Sequence, residues 1–151
     1  MTTIVNDSGF SADDWTGGFV EWNGVDATAI GPGTALDVPN TLDANELTAF
    51  FGNIKLIRIP FPSHVDGRGF TVARRLRLSG FKGRLRACGH ILADQYPMVR
   101  RCGFDEVEID DEIARRQPQD QWQLYAEWQS GDYQAKLRSP NSIKKQDSLN
   151  T

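Results

Sequence analysis

Apolar residues recur along this chain in short runs, and each run is followed by a segment with helical spacing. The runs predict strands over residues 35–39, 54–59, 84–88 and 106–109. The segments that follow predict helices over residues 41–51, 70–77, 94–102 and 111–129, the last one broken at Pro118. Strands that alternate with helices are typical of parallel sheets with right-handed crossovers. The pattern therefore predicts an α/β fold of about four βα units with a mainly parallel sheet.

Glycine and proline residues mark the ends of the predicted helices. Gly52, Gly80 and Gly103 each follow a helical segment and precede an extended apolar run, where a C-terminal helix cap is expected. Asp94 is the expected N-cap of the third helix, and Pro97 falls in its first turn, where a missing N–H costs little. These residues set the predicted helix boundaries.

The sheet can be arranged in two ways that the sequence leaves open. The βα units form either an open sheet with helices on both faces or a curved sheet like half of a (βα)8 barrel. A half-barrel has open edges, which would favour a homodimer. The last strand, residues 106–109, alternates acidic and apolar residues, which predicts an edge strand with one solvent-exposed face.

The N-terminal part of the chain lacks the βα pattern. Asn23-Gly24 is a strong hairpin-turn signal, so residues 19–22 and those after Gly24 are expected to form a small antiparallel element. Residues from Ser139 onward are polar with few apolar side chains, which predicts a disordered tail. The predicted organisation is a hairpin-like element over residues 1–32, a single α/β domain over 33–138 and a polar tail over 139–151.

Composition places the chain among cytoplasmic globular proteins. Its 151 residues are enough for one domain with a core, and 39% hydrophobic and 25% charged residues are typical of soluble proteins. No apolar segment approaches the ~20 residues of a membrane span, and the N-terminus lacks the regions of a secretory signal. Cys88 and Cys102 are too few to hold a structural zinc or an iron–sulfur cluster. We expect two small buried or half-buried thiols in a reducing compartment.

Charge is distributed unevenly along the chain. Residues 68–101 contain nine Lys or Arg and one acid, Asp94, a local charge of +8, whereas the rest contains 8 basic and 19 acidic residues, or −11. A basic middle between acidic flanks indicates an anionic ligand or an acidic partner surface. Alternatively, these arginines pair with the acidic flanks. Nucleic acid is disfavoured, because the chain as a whole is acidic and has no known nucleic-acid-binding signature.

Candidate ligand-binding residues cluster in the loops that follow the predicted strands. In parallel α/β folds, ligands bind at the carboxyl ends of the strands. Both histidines of the chain fall in two consecutive loops of this kind, which predicts that they share one face. The first of these loops also has two glycines, whose free N–H groups could bind an oxyanion, and an arginine that could clamp it. The candidates are His64, Asp66, Gly67, Arg68, Gly69, Arg86, His90 and Asp94.

Structural roles explain several of these residues equally well. Asp66 can hydrogen-bond the turn backbone and pair with Arg68, and Asp94 can act only as an N-cap. The signatures of phosphate-binding loops, dinucleotide-binding loops, serine hydrolases and zinc peptidases are missing. The spacing of histidines and acids matches no recognised metal site, so no metal is predicted. The sequence thus predicts where a ligand would bind without naming a reaction.

A motif string extends from the second βα unit to the fourth strand. It comprises Asp66-Gly67-Arg68-Gly69-Phe70, Leu76-Arg77, Gly80-Phe81, Leu85-Arg86-Ala87, Asp94-Gln95 and Arg101-Cys102-Gly103-Phe104-Asp105. This string resembles the DUF934 family, which is bacterial, of unknown biochemical function and labelled an oxidoreductase linked to sulfite reduction. The resemblance covers about residues 35–110. The chain departs from the family at His64, where members usually have an aromatic residue, and at His90, where many have Asp.

The resemblance implies an association with assimilatory sulfite or sulfate reduction. The first hypothesis is an accessory protein that binds an anionic ligand or a redox partner, such as sulfite reductase or another sulfur-assimilation enzyme, at the carboxyl-end loops. The alternative is an enzyme in which Asp66, Arg68 and His90 provide proton transfer and anion binding. A third hypothesis, a purely structural subunit, predicts that the loop residues tolerate substitution. The chain has no nicotinamide or flavin fingerprint, so the cofactor is unidentified and a redox role would require one borrowed from a partner.

Overall fold

One seven-stranded sheet organises the computed structural model, which describes residues 2–24 and 27–129. The strands are β1 (Thr2–Asn6), β2 (Gly9–Ser11), β3 (Val20–Glu21), β4 (Thr34–Asp37), β5 (Ile54–Phe61), β6 (Arg84–Gly89) and β7 (Glu106–Asp110). The α-helices are α1 (Arg68–Leu78), α2 (Tyr96–Arg101), α3 (Asp111–Arg116) and α4 (Gln119–Gln123). Short 3-10 helices cover Ala27–Ala29, Ala44–Glu46, Thr48–Asn53 and Ala93–Gln95. The predicted α/β class is confirmed. The tail predicted over 139–151 lies outside the described residues.

The sheet is open and mainly parallel, as predicted. Its strands lie in the order β2-β1-β7-β6-β5-β4-β3, and the strands from β3 to β7 run parallel to one another. β1 pairs antiparallel with both β7 and β2. The expectation of a small antiparallel element at the N-terminus is therefore confirmed.

This antiparallel element does not lie where the turn signal predicts it. β1 and β2 connect through Asp7-Ser8, and the Asn6 side chain accepts a hydrogen bond from the Ser8 N–H at 2.8 Å. The hairpin predicted at Asn23-Gly24 is wrong, because the preceding strand β3 pairs parallel with β4. A short Asn-Asp-Ser sequence supports a tight turn as Asn-Gly does, and β1 finds its second partner in β7, at the far end of the sequence.

Helices cover one face of the sheet. The chain enters β4, β5, β6 and β7 in their spatial order, and right-handed crossovers then place the connecting helices on the same side. Alternate strand positions such as Ile57, Leu85 and Val107 are fully buried in one apolar cluster with Leu76 of α1 and Val99 of α2. The hydrophobic core therefore lies between this face and the helices, as it would in half of a barrel.

The opposite face, which we call the helix-free face, carries charged side chains. The other alternate positions of β4 to β7 include the apolar Ala35, Leu56 and Pro60, and also Asp37, Arg58, Arg84, Arg86, Cys88, Glu106 and Glu108. Arg86 is fully buried, and Glu106 and Glu108 are each 7% exposed. The prediction that residues 106–109 form an edge strand is wrong, because β7 lies between β1 and β6 and its glutamates pair with arginines of β6.

Residues 12–19, the crossing segment, run over the helix-free face, because β2 and β3 lie at opposite edges of the sheet. In a flat sheet the six interstrand gaps would span roughly 29 Å. The nine steps from Ser11 to Val20 reach about 30 Å only when fully extended. Trp15 Nε1 donates to the Gly18 carbonyl at 2.7 Å, so the segment contains a turn and is not fully extended. It follows that the sheet curves around the crossing segment and brings its two edges closer together.

Two of the predicted C-terminal helix caps are confirmed, and one is wrong. Gly80 and Gly103 adopt the left-handed region, at φ values of 104° and 110°, directly after α1 and α2. The helix predicted over residues 41–51 is instead a pair of short 3-10 helices, and Gly52 lies inside the second one. Asn45 and Gly52 are weak helix formers, which explains why no α-helix propagates through this segment.

The third helical segment begins at a different cap from the predicted one. Leu92 occupies the N-cap: its N–H donates to Gln95 Oε1 at 2.9 Å, and its carbonyl accepts from the Gln95 N–H at 2.9 Å. Asp94 is exposed in the first turn, where a negative charge suits the helix dipole. The N-cap prediction is wrong because the Gln95 side chain supplies the capping acceptor. Pro97 lies at the start of α2 and Pro118 separates α3 from α4, as predicted.

Candidate functional site

The carboxyl ends of β5, β6 and β7 meet at one edge of the sheet, and both histidines lie there. His64 follows β5 and His90 follows β6. Both line one cleft of about 370 Å³, the histidine cleft, together with Asp110, Arg116 and Gln117. The structure therefore brings the two imidazoles together, as their positions after consecutive strands lead one to expect.

Backbone contacts position both histidines. Gly89 adopts a φ of 116°, and a Cβ atom there would lie 2.6 Å from the Phe61 carbonyl oxygen, so only glycine fits at this point. The His90 N–H then donates to the same Phe61 oxygen at 2.8 Å. The His64 carbonyl accepts from Gln95 Nε2 at 2.8 Å. Both imidazoles are exposed, and neither is hydrogen-bonded to another of the described residues, so both can reach a ligand.

The charged groups of the histidine cleft are engaged with neighbouring groups. Arg116 Nη2 lies 2.9 Å from Glu112 Oε2, one helical turn away. Asp110 caps α3, because its Oδ1 accepts from the Ile113 N–H at 2.9 Å. The cleft therefore has no strong excess of positive charge, and the imidazoles are its available donors and acceptors.

Asp66 and Arg68 lie on the same edge of the sheet but bind each other. Arg68 Nε and Nη2 donate to the two Asp66 carboxylate oxygens at 3.0 and 2.8 Å, and Asn40 Nδ2 donates to Asp66 Oδ2 at 3.2 Å. Hydrogen bonds from the Arg68 side chain and backbone N–H lower the pKa of Asp66 to about 2. Asp66 is thus an ionised turn residue whose oxygens are already occupied, which matches its structural interpretation.

The glycines of this turn have different surroundings. Gly67 is the exposed N-cap of α1, at a φ of −90°. Gly69 is buried, and a Cβ atom there would approach Phe61 Cζ to 2.6 Å. Gly69 therefore lets α1 pack closely on β5, and it does not face a ligand.

A second cleft runs along α1 and is rich in arginine. This arginine cleft, of about 320 Å³, lies between the loop after β4 and the helix, and its lining residues are Asn40, Thr41, Leu42, Arg68, Thr71, Val72 and Arg75. The spacing of Arg68, Thr71 and Arg75 places them on one side of α1. Within the described part of the chain, the Arg75 side chain has neither a hydrogen bond nor an ion pair. No carboxylate lines this cleft, so it offers positive charge at the carboxyl end of the sheet.

Two further candidates from the sequence lie elsewhere. Arg86 is fully buried on the helix-free face, and its donors bind Asp13, Glu106 and Glu108, so it does not reach the loops. Asp94 lines a neighbouring cleft beside α4, which shares Leu92 and Gln117 with the histidine cleft but contains neither histidine. The eight candidate residues therefore do not form one site.

Another cleft, which we call the main cleft, was not predicted from the sequence. This main cleft, of about 730 Å³, opens on the helix-free face at the carboxyl halves of β4 to β7. Its lining residues are Phe19, Glu21, Trp22, Asp37, Val38, Pro39, Arg58, Pro60, Cys88 and Glu108. A usable signal exists in the sequence: charged residues occupy every second position at the start of two successive predicted strands, Arg84 and Arg86 in one and Glu106 and Glu108 in the next, which indicates a charged face of the sheet.

Ion pairs connect the strands beneath the main cleft. Arg58 Nε and Nη2 donate to Asp37 at 2.6 and 2.7 Å, and its Nη1 donates to Glu108 Oε1 at 3.1 Å. The Phe19 ring of the crossing segment covers the Arg58 guanidinium, 3.7 Å from its centroid to Cζ. Arg86 Nη1 donates to the same Glu108 oxygen at 2.9 Å. Glu108 thus joins both arginines into one network.

Cys88 lies in the main cleft as a protonated thiol. Burial, and then the negative charge of Glu108, raise the pKa of Cys88 to about 12. The thiolate that a nucleophile or redox cysteine requires is therefore nearly absent at neutral pH. Cys102 is buried on the helix-covered side, and its Sγ lies 3.7 Å from Arg74 Nη2. Both cysteines are free thiols.

Comparison with known proteins identifies a family and no characterised relative. A family model described as a bacterial protein of unknown function, DUF934, matches residues 35–143, which is more than half of the chain. Neither the curated proteins nor the solved structures include a match to this chain. Among residues 2–24 and 27–129, no helix is long and apolar enough to cross a membrane. The same residues contain no group of three or more His, Cys, Asp or Glu side chains that could hold a metal ion.

Proposed function

The chain belongs to the DUF934 family of bacterial proteins of unknown function, and we propose that it is a cytoplasmic accessory protein of assimilatory sulfite or sulfate reduction. It binds an anionic group at the carboxyl-end loops, in the arginine cleft. The observation that carries this proposal is the Arg75 guanidinium, which has no partner among the described residues and lines one cleft with Thr71 and with Arg68, whose own charge is matched by Asp66.

The distribution of ion pairs favours the arginine cleft over other basic residues. In the N-terminal acidic flank, Asp13 forms an ion pair with Arg86 and Asp14 forms one with Arg84. These two arginines of the basic middle are therefore not available to an external anion. Arg75 has no such partner among the described residues. An anionic group of another molecule is therefore the expected ion-pair partner of the Arg75 guanidinium.

The geometry of α1 suits a group with more than one oxygen. Arg68 and Arg75 are seven residues apart, which is about 10 Å along a helix axis. Over that distance, Arg75 can bind one oxyanion together with Arg68 Nη1, the guanidinium nitrogen of Arg68 that does not donate to Asp66. The Thr71 hydroxyl, between them, can add a hydrogen bond.

An exposed leucine extends the same side of α1. Leu78 is 80% exposed and lies three residues beyond Arg75. Basic side chains that flank an exposed apolar residue are typical of a protein-binding surface more than of a site for a free ion. Sulfite reductase or another sulfur-assimilation enzyme with an acidic surface is therefore the proposed source of the anionic group.

The experiment compares free anions with a protein partner. Calorimetric titration with sulfite and sulfate, and co-purification with sulfite reductase, should both be carried out for the unmodified chain, for Arg75→Glu and for a control, Arg115→Glu on the exposed side of α3. We expect Arg75→Glu to weaken binding at least about tenfold, because it places like charges together, and the control to bind normally. Equal binding by all three proteins, or no binding of any probe, would overturn the proposal.

The histidine cleft supports a second candidate function, catalysis by proton transfer. His64 and His90 line the same cleft and have exposed imidazoles without a hydrogen bond to any described residue. The sequence suggested an enzyme that uses Asp66, Arg68 and His90. Asp66 binds Arg68, and Arg68 lines a different cleft, so the two histidines are the remaining candidates for catalysis. Turnover by the isolated protein that is lost in His90→Asn would favour this candidate over the accessory role.

A further inference from the structure

The main cleft on the helix-free face has no part in the proposed function. It shares no lining residue with the arginine cleft or the histidine cleft. Its volume of about 730 Å³ falls within the range of small-molecule sites. It also lies at the carboxyl halves of four neighbouring parallel strands, where ligands of α/β proteins bind.

The donors within this cleft are already used. Arg58 is its only positively charged lining residue, and all three nitrogens of that guanidinium donate to Asp37 or Glu108. Trp22 Nε1 donates to Glu46 Oε1 at 3.0 Å, outside the cleft. The Cys88 thiol stays protonated, because burial and the negative charge of Glu108 raise its pKa. An anion that entered the main cleft would find few free donors and a surplus of negative charge.

The Glu21 carboxylate, in contrast, remains available as an acceptor. Glu21 and Asp37 are register partners on the adjacent parallel strands β3 and β4, so both carboxylates lie side by side on the same face. The Asp37 side chain is 37% exposed, and Glu21 is exposed and has no partner among the described residues. Like charges directly across two strands repel each other, and only Asp37 is compensated, by Arg58. Glu108, the third carboxylate of the lining, is paired with both Arg58 and Arg86, so Glu21 carries the uncompensated charge of the cleft.

We infer that the main cleft binds a small organic cation, a ligand with an amine or guanidinium group and an apolar portion. Its N–H donors would lie between Glu21 and Asp37, where they would satisfy the uncompensated carboxylate. Its apolar portion would contact the side chains of Val38, Pro39 and Pro60 that form the remaining wall. The arginine cleft selects negative charge, so the two clefts would take ligands of opposite sign.

The test uses agmatine and spermidine as probes in calorimetric titrations of the whole chain. We expect saturable binding of one probe molecule per chain, with a dissociation constant in the millimolar range or below. Sodium sulfate and sodium chloride at matched ionic strength should give no saturable heat. Glu21→Gln should weaken probe binding about threefold to tenfold without changing the melting temperature, because Glu21 is exposed and unpaired.

Two control variants keep this inference separate from the proposed function. Asp120→Asn removes an exposed carboxylate of α4 outside the main cleft, and it should bind the probes like the unmodified chain. Arg75→Glu, which tests the arginine cleft, should also leave probe binding unchanged. Asp37→Asn, checked for folding by circular dichroism, should weaken binding further. If neither probe binds saturably, or if Glu21→Gln and Asp37→Asn both retain full affinity, the inference is wrong.

Discussion

The two faces of the sheet stabilise the fold by different means. On the helix-covered face, alternate residues of β5, β6 and β7 are the apolar Ile57, Leu85 and Val107. On the helix-free face, most of the strand residues next to them are charged, and Arg86 and Glu108 are buried as an ion pair at 2.9 Å. The difference follows from the period of two along each strand, which sends neighbouring side chains to opposite faces.

This contrast between the two faces indicates where a binding site can form. Apolar packing gains free energy from area removed from water and leaves no polar atoms in reach of a ligand. Buried ion pairs gain little net stability, since the cost of desolvation offsets most of the attraction. They do leave carboxylates beside the main cleft, as Asp37 and Glu108 show. We infer that the helix-covered face stabilises the fold and that the helix-free face provides polar groups that can bind a ligand.

The largest expected effect comes from removing one charge from the helix-free face. Arg86→Met keeps much of the side-chain volume but leaves Asp13, Glu106 and Glu108 without their shared partner. We expect the free energy of unfolding to fall by about 3–5 kcal/mol, the cost of breaking a buried ion pair. Urea unfolding monitored by circular dichroism measures this loss. A loss below about 1 kcal/mol would mean that these charges are solvated and that the faces do not differ as described.

A smaller effect is expected from overpacking on the helix-covered face. Gly69→Ala would place a Cβ atom 2.6 Å from Phe61 Cζ, so α1 must move away from β5. We expect a destabilisation of about 1–3 kcal/mol in the same urea assay. Gly52→Ala is the matched control, because a Cβ atom there meets no atom within 4 Å. Equal stability of the two variants would contradict the close packing of α1 on the sheet.

Asp13 of the crossing segment should make the stability of the folded chain depend on pH in the acidic range. Burial alone raises the pKa of Asp13, but hydrogen bonds from Arg86 and the Trp15 N–H outweigh it and hold the pKa below its ordinary value. The unfolded chain therefore binds this proton more readily than the folded one. The contribution of Asp13 to stability is complete above about pH 4 and is lost as the pH falls through the lower, folded-state pKa.

Urea midpoints measured between pH 7 and pH 3 check this expectation. The Asp13→Asn variant should be less stable than the unmodified chain at neutral pH, and the difference should shrink as the solution becomes more acidic. A constant difference across this range would show that the Asp13 carboxylate does not act through its charge.

Local signals allowed much of the fold to be predicted from the sequence. The order of βα units follows from apolar runs that begin after Gly80 and Gly103, whose left-handed backbone the structure confirms. The common position of His64 and His90 follows from a general rule for parallel sheets, which needs only the strand ends. Both inferences depend on residues that are close together in the chain.

Pairings between distant parts of the chain account for what was missed. β1 pairs with β7, which lies more than 100 residues later in the chain. Because of this pairing, the strand that was predicted at an edge lies inside the sheet. Asp13 reaches Arg86 only because β2 and β3 end up at opposite edges of the sheet. The alternation of charge around Arg86 and Glu108 was visible in the sequence, but the topology decides whether such residues face water or each other.

The coupling between Arg86 and Glu108 tests the contrast between the faces most directly. The measurement is a double-mutant cycle in urea unfolding with Arg86→Met, Glu108→Met and the combined variant. Each single variant removes one partner of the other buried charge, which keeps only its remaining partners, Arg58 for Glu108 and Asp13 and Glu106 for Arg86. The combined variant should therefore be more stable than the sum of the two losses predicts, by at least about 1 kcal/mol. Losses that add to within about 0.5 kcal/mol would contradict a buried ionic face.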